Sequence, residues 1–135
     1  MTATESTVPD TVVVHVIEDD ESSRIASSRL LKKAGYVVRE YATGAEFLIE
    51  AQTEGGCIVL DLQLPGSNGL ELQEKLTTAA NPLPIVFLTG HGDVPKSVRA
   101  MKAGAVDFLT KPVDAPVLLD AVARAIARDM ENRVV

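Results

Sequence analysis

The sequence predicts an α/β domain with a mostly parallel sheet of five strands and helices on both faces. Five short apolar runs alternate strictly with segments of helical periodicity, a pattern typical of repeated strand–helix units joined by right-handed crossovers. The length of 135 residues fits one domain with a single core. Aromatic residues make up only 4% of the chain, so we expect that core to consist mostly of Val, Leu, Ile and Ala.

The five apolar runs define the predicted strands. They cover residues 11–17, 36–42, 57–62, 83–89 and 105–110. The first, third and fourth look buried on both faces, as the central strands of a parallel sheet are. We therefore expect the functional site beyond the carboxyl ends of these strands, where open α/β sheets bind their ligands.

Start and stop signals predict the first three helices. The first ends at Gly35, the second begins with a capping box made by Thr43 and Glu46, and Asn68 precedes the third. Apolar residues at helical spacing form a candidate buried face in each: Ala26, Leu30 and Ala34 in the first; Phe47, Leu48 and Ala51 in the second; Leu72, Leu76 and Ala79 or Ala80 in the third.

The last two helices have equally clear boundaries. Asp93 caps the fourth, which tolerates Pro95 in its first turn and ends at Gly104, and the fifth starts near Asp114. Their apolar faces are Val94, Val98 and Met101 in the fourth and Leu118, Val122 and Ile126 in the fifth. Charged residues spaced by four pair on the outer face of the fifth helix: Asp120, Arg124 and Arg128.

Composition excludes several classes of function. With 13 basic and 19 acidic residues the net charge is −6, and no basic cluster offers a surface for nucleic-acid phosphates. The single cysteine, Cys57, excludes an internal disulfide and a cysteine-rich metal site. Residues 1–11 lack the regions of a signal peptide, and no apolar run reaches membrane-spanning length. We predict a cytoplasmic protein without membrane contact.

Polar residues stand where the predicted strands end. They are Glu18 and Asp19 after the first strand, Asp61 in the third, Thr89 in the fourth and Lys111 after the fifth. Singly, each has an ordinary structural explanation, such as an acid near a helix N-terminus or a solvated lysine. Together, at one edge of one sheet, they fit a specific piece of chemistry.

Asp61 is the residue that most needs a compensating charge. It follows the apolar run 58–60, where an ionised carboxylate is costly to desolvate. Neighbouring carboxylates repel unless a cation joins them, and oxygen-only ligation of this kind suits Mg²⁺. Lys111 supplies a further positive charge. A carboxylate in this setting can act as a nucleophile and form an aspartyl phosphate, so we predict that Asp61 is phosphorylated.

Over roughly residues 11–130 the chain resembles a receiver domain of two-component response regulators. The resemblance lies in the acidic pair Glu18-Asp19 and in the stretches "LDLQLPGSNGLEL", "FLTGHGD" and "KAGAVDFLTKP". The stretch 89–112 is most similar to the FixJ-type branch, whose members usually carry a C-terminal helix-turn-helix. The resemblance implies a flavodoxin-like (βα)5 fold with strand order 2-1-3-4-5.

The resemblance also implies roles for individual residues. They are Asp61 as phosphoacceptor; Asp19, Asp61, the backbone carbonyl of Gln63 and, through a water, Glu18 as Mg²⁺ ligands; Lys111 as the phosphoryl-binding residue; and Thr89 with Phe108 as the switch pair. Many relatives have aspartate where this chain has Glu18. The domain would promote only its own phosphorylation and dephosphorylation, so we do not expect an enzyme that turns over outside substrates.

The implied function is a switch controlled by a sensor histidine kinase. We expect the surface of helix 4, strand 5 and helix 5 to control an output, in particular transcription through a DNA-binding domain not in this chain. Helices 94–103 and 115–130 carry excess apolar surface for a dimer or effector contact, with Val117, Leu119 and Ala123 as candidates. The expected boundaries are a disordered tail (1–11), the receiver domain (12–130) and a tail or linker start (131–135).

Three alternatives remain open from the sequence. A haloacid-dehalogenase-type phosphatase also uses a strand-end aspartate, but it has a second aspartate two residues on, where this chain has Gln63. A flavin- or nucleotide-binding module would need a glycine-rich phosphate loop, and neither usual pattern occurs. The third alternative is a stand-alone or phosphorylation-independent receiver that acts as a protein-binding scaffold.

Overall fold

The computed structural model describes residues 12–50, 55–64, 67–77, 83–90 and 94–134. Within them the main-sheet strands are β1 (Val12–Ile17), β2 (Val37–Tyr41), β3 (Gly55–Asp61), β4 (Ile85–Thr89) and β5 (Asp107–Thr110). The helices are α1 (Glu21–Lys33), α2 (Gly44–Ile49), α3 (Gly69–Thr77), α4 (Val94–Lys102) and α5 (Ala115–Val134). The strands are parallel in the order β2-β1-β3-β4-β5, which confirms the predicted topology. None of the helices in this part of the chain has the length and apolar content needed to cross a membrane.

The sheet divides the apolar core into two clusters. β1, β3 and β4 are buried along almost their whole length, as their apolar runs predicted. Because successive strand side chains point to opposite faces, these strands supply both clusters. Under α2, α3 and α4 the cluster includes Ile17, Phe47, Leu60, Leu72 and Phe87. Under α1 and α5 it includes Val14, Leu31, Val59, Leu118 and Val122.

Several predicted helix boundaries are confirmed by their hydrogen bonds. The hydroxyl of Thr43 accepts a 3.1 Å hydrogen bond from the Glu46 N–H, while the Glu46 carboxylate accepts one of 3.2 Å from the N–H of Ala42. Gly35 and Gly104 follow α1 and α4 with φ of +101° and +105°, the left-handed conformation in which glycine ends helices. Local side-chain chemistry therefore sets these boundaries.

The buried face of α1 differs from the predicted one. The helix buries Ser28 and Leu31, whereas Ala26 and Ala34 are exposed and Leu30 is partly buried. Alanine contributes little apolar area, so its spacing specifies the face of a helix weakly. Packing against β1 and β2 selects instead the face that carries Leu31.

The apolar face predicted for α4 is exposed. Val94, Val98 and Met101 are 74%, 43% and 44% exposed, and the helix buries Ala100 instead. The small side chain of Ala100 allows α4 to approach α3, where the Gln73 side-chain N–H donates a 3.0 Å hydrogen bond to the Ala100 carbonyl. The three larger apolar side chains consequently form a stripe on the surface.

The remaining helix predictions are partly confirmed. α5 buries Leu118 and Val122 and partly buries Ile126, but it also buries Ala121 and Ala125, and it continues to Val134. Arg124 pairs with Asp120 as predicted, at 2.9 Å, whereas Arg128 donates to the carbonyl of Gly104 at 2.8 Å. In α2 and α3, Phe47 and Leu72 are buried, Leu76 is partly buried and Leu48 is exposed. The predictions for residues 1–11, Ala51, Ala79, Ala80 and Asp93 lie outside the described residues.

Candidate metal centre at the carboxyl end of the sheet

Three acidic side chains meet where β1 and β3 end. One carboxylate oxygen from each of Glu18, Asp19 and Asp61 lies within 4.8 Å of the others. Glu18 and Asp61 are buried and Asp19 is exposed. The register explains this proximity, because β1 and β3 are hydrogen-bonded neighbours that pair Ile17 with Leu60, the residues just before Glu18 and Asp61. The predicted acidic cluster is thus assembled at the ends of two neighbouring strands, where Glu18 and Asp61 are 43 residues apart in sequence.

Lys111 reaches this cluster from the end of β5. Its ammonium group forms a direct ion pair with the carboxylate of Glu18 and lies 3.9 Å from Oδ1 of Asp61. The backbone N–H of Lys111 donates a 2.7 Å hydrogen bond to the Thr89 carbonyl, and the peptide bond to Pro112 is cis. The positive charge that the sequence analysis expected Lys111 to bring to Asp61 is thus present, although Glu18 is the closer partner of the ammonium group.

Asp61 is held in a setting that disfavours its charge. Burial, followed by the hydrogen bond and the negative charge of Glu18, raises the pKa of Asp61 from 3.8 to about 7. The charge of Lys111 and a 3.3 Å hydrogen bond from the Gln63 N–H lower that pKa, but they offset only part of the increase. Lys111 therefore supplies too little positive charge to offset the burial of the Asp61 carboxylate and the charge of Glu18.

The donor set fits Mg²⁺. The ligand atoms of the cluster are carboxylate oxygens, which hard divalent cations prefer, and a partly exposed site leaves room for the waters that Mg²⁺ retains. Asp20, the next residue along, is directed elsewhere: its carboxylate accepts a 2.8 Å hydrogen bond from the Ser23 N–H and caps α1. That hydrogen bond lowers the pKa of Asp20. The acidic run is thus divided between a candidate metal site, to which Glu18 and Asp19 belong, and a helix cap made by Asp20.

Gly69 supports the site in a way that the sequence analysis missed. A Cβ atom at Gly69 would lie 2.8 Å from the Asp61 carbonyl oxygen and 3.0 Å from the ring of Phe87. The Gly69 N–H also donates to the Leu62 carbonyl at 2.6 Å. Glycine therefore allows the start of α3 to pack directly against the segment that carries Asp61. The available signal is "SNG" at residues 67–69, which predicts the helix start after Asn68 but not the close approach to Asp61.

The remaining predicted residues lie around the cluster. Thr89 is fully buried at the end of β4, and Phe108 of β5 is half-buried with its ring centroid 5.8 Å from that of Phe87. Gln63 is exposed and belongs to a short antiparallel pair of residues 63–64 with 67–68. Thr89 therefore lies at the same strand-end edge as the acidic cluster and Gln63 lies two residues beyond Asp61, whereas Phe108 lies within β5, two residues before its end.

Comparison with known proteins gives a consistent picture. The family model described as the response regulator receiver domain matches residues 14–123. Nodulation protein W of Bradyrhizobium diazoefficiens is 44% identical over 122 residues, which are 90% of this chain and 54% of that protein. The transcriptional regulatory protein FixJ of Azorhizobium caulinodans is 40% identical over 126 residues, 93% of this chain and 60% of that protein.

Solved structures show the same similarity. A low-resolution structure of the response regulator StyR matches with a TM-score of 0.86 and 44% identity, over 91% of this chain and 63% of that chain. The crystal structure titled FixJ-N matches with a TM-score of 0.81 and 37% identity, over 87% and 95%. The chain spans only 54% and 60% of the two curated relatives above, so the similarity concerns one part of those proteins.

Proposed function

This chain belongs to the response regulator receiver domain family, and we propose that it is a phosphorylation-controlled switch with Asp61 as its acceptor. The observation that carries the proposal is the setting of Asp61. The carboxylate ends a buried strand beside Glu18, Asp19 and Lys111, and burial together with the neighbouring Glu18 raises its pKa to about 7. A cation bound at this site would supply positive charge to the buried Asp61 carboxylate before a phosphoryl group is transferred to it.

The proposed reaction is transfer from a phosphohistidine of a sensor histidine kinase. One oxygen of the Asp61 carboxylate forms a P–O bond while the P–N bond of the donor breaks. The electron pair of the P–N bond returns to the imidazole nitrogen, which takes up a proton from water. Asp19, Asp61 and the carbonyl of Gln63 would hold Mg²⁺, with Glu18 acting through a water. The metal would neutralise charge on the transferring phosphoryl oxygens.

Lys111 and Thr89 complete the proposed acceptor site. The Lys111 ammonium lies 3.9 Å from Asp61 Oδ1 and is tethered by Glu18, so it is placed to bind a phosphoryl oxygen. Thr89 ends β4, the strand that pairs with β3, and its hydroxyl can rotate toward that oxygen. We propose that Thr89 and half-buried Phe108 change conformation together, because they lie on the adjacent strands β4 and β5.

A groove beside the site is suited to the kinase. It has a volume of about 380 Å³ and lies between α1 and the segment that follows β5. Its lining includes Ala26, Leu30, Lys111, Pro112, Val113 and Leu118. The groove is mostly apolar and begins at Lys111, so a kinase helix bound there would place its phosphohistidine near Asp61. This contact is part of the proposal, as is a cytoplasmic location.

The proposed output surface comprises α4, β5 and α5. The exposed stripe of Val94, Val98 and Met101 on α4 is available for a homodimer formed on phosphorylation. On α5, Val117 and Ala123 are exposed, whereas Leu119 is partly buried against the core. We propose that the regulated process is transcription, through a DNA-binding domain outside this chain, because one relative is named a transcriptional regulatory protein.

Intact mass spectrometry tests the acceptor. The wild-type protein, incubated with acetyl phosphate and Mg²⁺, is expected to gain one phosphoryl group, and EDTA is expected to prevent the gain. Asp61→Asn should remain unmodified, while the control Asp20→Asn, which keeps a good helix cap next to the cluster, should behave as the wild type. Phosphorylation that survives in Asp61→Asn would reject Asp61. No modification of folded wild-type protein would favour the phosphorylation-independent scaffold.

Analytical ultracentrifugation tests the dimer surface. With a phosphoryl mimic, the wild-type protein is expected to shift to a dimer and Val98→Asp to stay monomeric. Val37→Asp, the same change at an exposed valine on β2, is the matched control and should dimerise. A wild-type protein that remains monomeric with the mimic bound would exclude phosphorylation-driven dimerisation.

A further inference from the structure

Arg24 of α1 is bonded to the backbone of the acidic residues. Its Nη1 donates a 2.8 Å hydrogen bond to the carbonyl oxygen of Glu18 and a second one, of 3.4 Å, to that of Asp19. Its Nε lies 3.7 Å from Oε1 of Glu40 on β2. The guanidinium thus connects the end of β1 to both α1 and β2.

The arrangement around Arg24 restricts its side chain. The side chain is only 17% exposed, and Glu40, which also lies 3.7 Å from the ammonium of Lys32, holds the Nε side of the guanidinium. Glu40 pairs in register with Val16 of β1, so its backbone belongs to the same sheet as the acidic residues. A planar guanidinium held on one side and directed at two carbonyls on the other gives a fixed orientation to its partners.

The two carbonyls belong to the peptide units that follow Glu18 and Asp19. The two hydrogen bonds hold the peptide units between residues 18 and 19 and between residues 19 and 20. They therefore limit backbone rotation on both sides of the Asp19 Cα atom and on the carboxyl side of the Glu18 Cα atom. The N–H of Glu18 is held as well, by a 3.0 Å hydrogen bond to the Tyr41 carbonyl. We propose that Arg24 is a positioning residue that orients the Glu18 and Asp19 carboxylates for the metal, an inference that rests on the proposed function.

The same contacts restrict how the cation is bound. Because the Glu18 and Asp19 carbonyls accept hydrogen bonds from a positive group, they are poor additional ligands, and the metal meets the side-chain carboxylates instead. Groups that orient metal ligands in this way typically contribute about 10- to 100-fold to metal affinity. Arg24 therefore affects metal binding without touching the metal or Asp61.

The test compares Arg24→Ala, Arg24→Lys and Glu40→Gln with the wild type and with Arg29→Ala, an exposed arginine on the same helix. Mg²⁺ affinity is measured by titration of backbone amide NMR shifts, and hydrogen exchange of the residue 18–20 amides is measured without metal. Arg24→Ala is expected to weaken Mg²⁺ binding about tenfold and to speed that exchange. Arg24→Lys should recover only part of the affinity, because an ammonium group can donate to the carbonyls but lacks the second side of the guanidinium, where Nε faces Glu40.

The outcomes separate positioning from general stability. Glu40→Gln should weaken Mg²⁺ binding by less than about fivefold, the size of one partly exposed ion pair, and Arg29→Ala should leave it unchanged. Unchanged Mg²⁺ affinity in Arg24→Ala would overturn the inference. If Arg24→Ala does not fold, unchanged Mg²⁺ affinity in both Arg24→Lys and Glu40→Gln would overturn it. An equal loss in Arg29→Ala would overturn it as well. Failure of the wild-type protein to bind Mg²⁺ would instead contradict the proposed function itself.

Discussion

Two buried carboxylates meet β3 at its opposite ends. Asp61 is the last residue of the strand and is 7% exposed. Asp129 comes from α5, is 2% exposed, and accepts a 2.9 Å hydrogen bond at Oδ2 from the N–H of Gly56 near the start of the strand. Both groups are removed from water, which is unfavourable unless polar partners replace the lost hydration.

The partners of the two carboxylates differ in kind. Asp129 bonds to a backbone amide; burial, with the charge of Asp129 as the smaller cause, raises the pKa of the neighbouring Cys57 thiol to about 12. Asp61 faces another carboxylate, and burial, followed by the effect of Glu18, raises the pKa of Asp61 to about 7. The first carboxylate therefore joins α5 to the sheet, whereas the ionised form of the second is disfavoured and would be stabilised by a bound cation. The two carboxylates are both buried at ends of the same strand, so the difference between them comes from their partners.

The largest effect is expected from Gly56→Ala, which disturbs the donor to Asp129. Gly56 has φ of +137°, and an added Cβ would lie 1.9 Å from the Val13 carbonyl oxygen on the neighbouring strand. We expect the free energy of unfolding to fall by about 3 kcal/mol or more in chemical denaturation. Gly90→Ala is the control, because a Cβ there meets no atom within 4 Å. Equal stability of the two variants would contradict the prediction.

The next effect tests the structural role of Asp129. Asp129→Ala leaves the buried Gly56 N–H without this acceptor, so we expect a loss of about 2 kcal/mol in the free energy of unfolding. Glu131→Ala, on an exposed position of the same helix, should change stability by less than about 0.5 kcal/mol. If Asp129→Ala lowered the free energy of unfolding as little as the control does, the structural role assigned to Asp129, and with it the contrast to Asp61, would be wrong.

Asp61→Asn is expected to act in the opposite direction. The native pKa of about 7 lies above the unfolded value of 3.8, so native protein binds more protons between these values and loses stability as the pH rises through that range. Without metal, Asp61→Asn should therefore be more stable than the wild type above pH 7, by about 1–2 kcal/mol after discounting for solvent screening. The difference should vanish near pH 4.

Thermal unfolding in EDTA across pH 4–8 measures this difference. Mg²⁺ added at pH 8 should reverse the order, because it stabilises the wild type by about 2.7 kcal/mol at a concentration 100 times its dissociation constant. A difference between Asp61→Asn and the wild type that does not change with pH would show that ionisation of Asp61 is not strained in the native protein.

The smallest effect is expected for an exposed carboxylate. Asp120 pairs with Arg124 at 2.9 Å on the surface of α5, and Arg124 has a second partner in Asp107 at 2.7 Å. Asp120→Ala should therefore lower the free energy of unfolding by only about 0.3–0.5 kcal/mol, and high salt should reduce the effect further. A loss of stability comparable to that of Asp129→Ala would contradict the prediction that the buried carboxylate contributes more to the free energy of unfolding than the exposed one.

Much of the site was predictable because its residues follow strands. The apolar runs placed Glu18, Asp61 and Lys111 at strand ends, and a parallel sheet brings those ends to one edge. The pairing within the site was less predictable. The closer approach of Lys111 to Glu18 than to Asp61 depends on how far the two side chains reach past β3 and β4, the strands between them, and no local pattern encodes this reach.

The sequence by itself determined the alternation of strands and helices, the helix boundaries at Thr43, Gly35 and Gly104, and which polar residues lie at the carboxyl ends of the strands. These follow from local hydrogen bonding, backbone conformation and periodicity. Only the tertiary structure decided that α4 buries Ala100 and exposes Val98, that Asp129 of α5 reaches Gly56 of β3, and that Glu40 of β2 holds the guanidinium of Arg24. The physical reason is that burial and long-range hydrogen bonds depend on the partner surface, which residues distant in the chain supply.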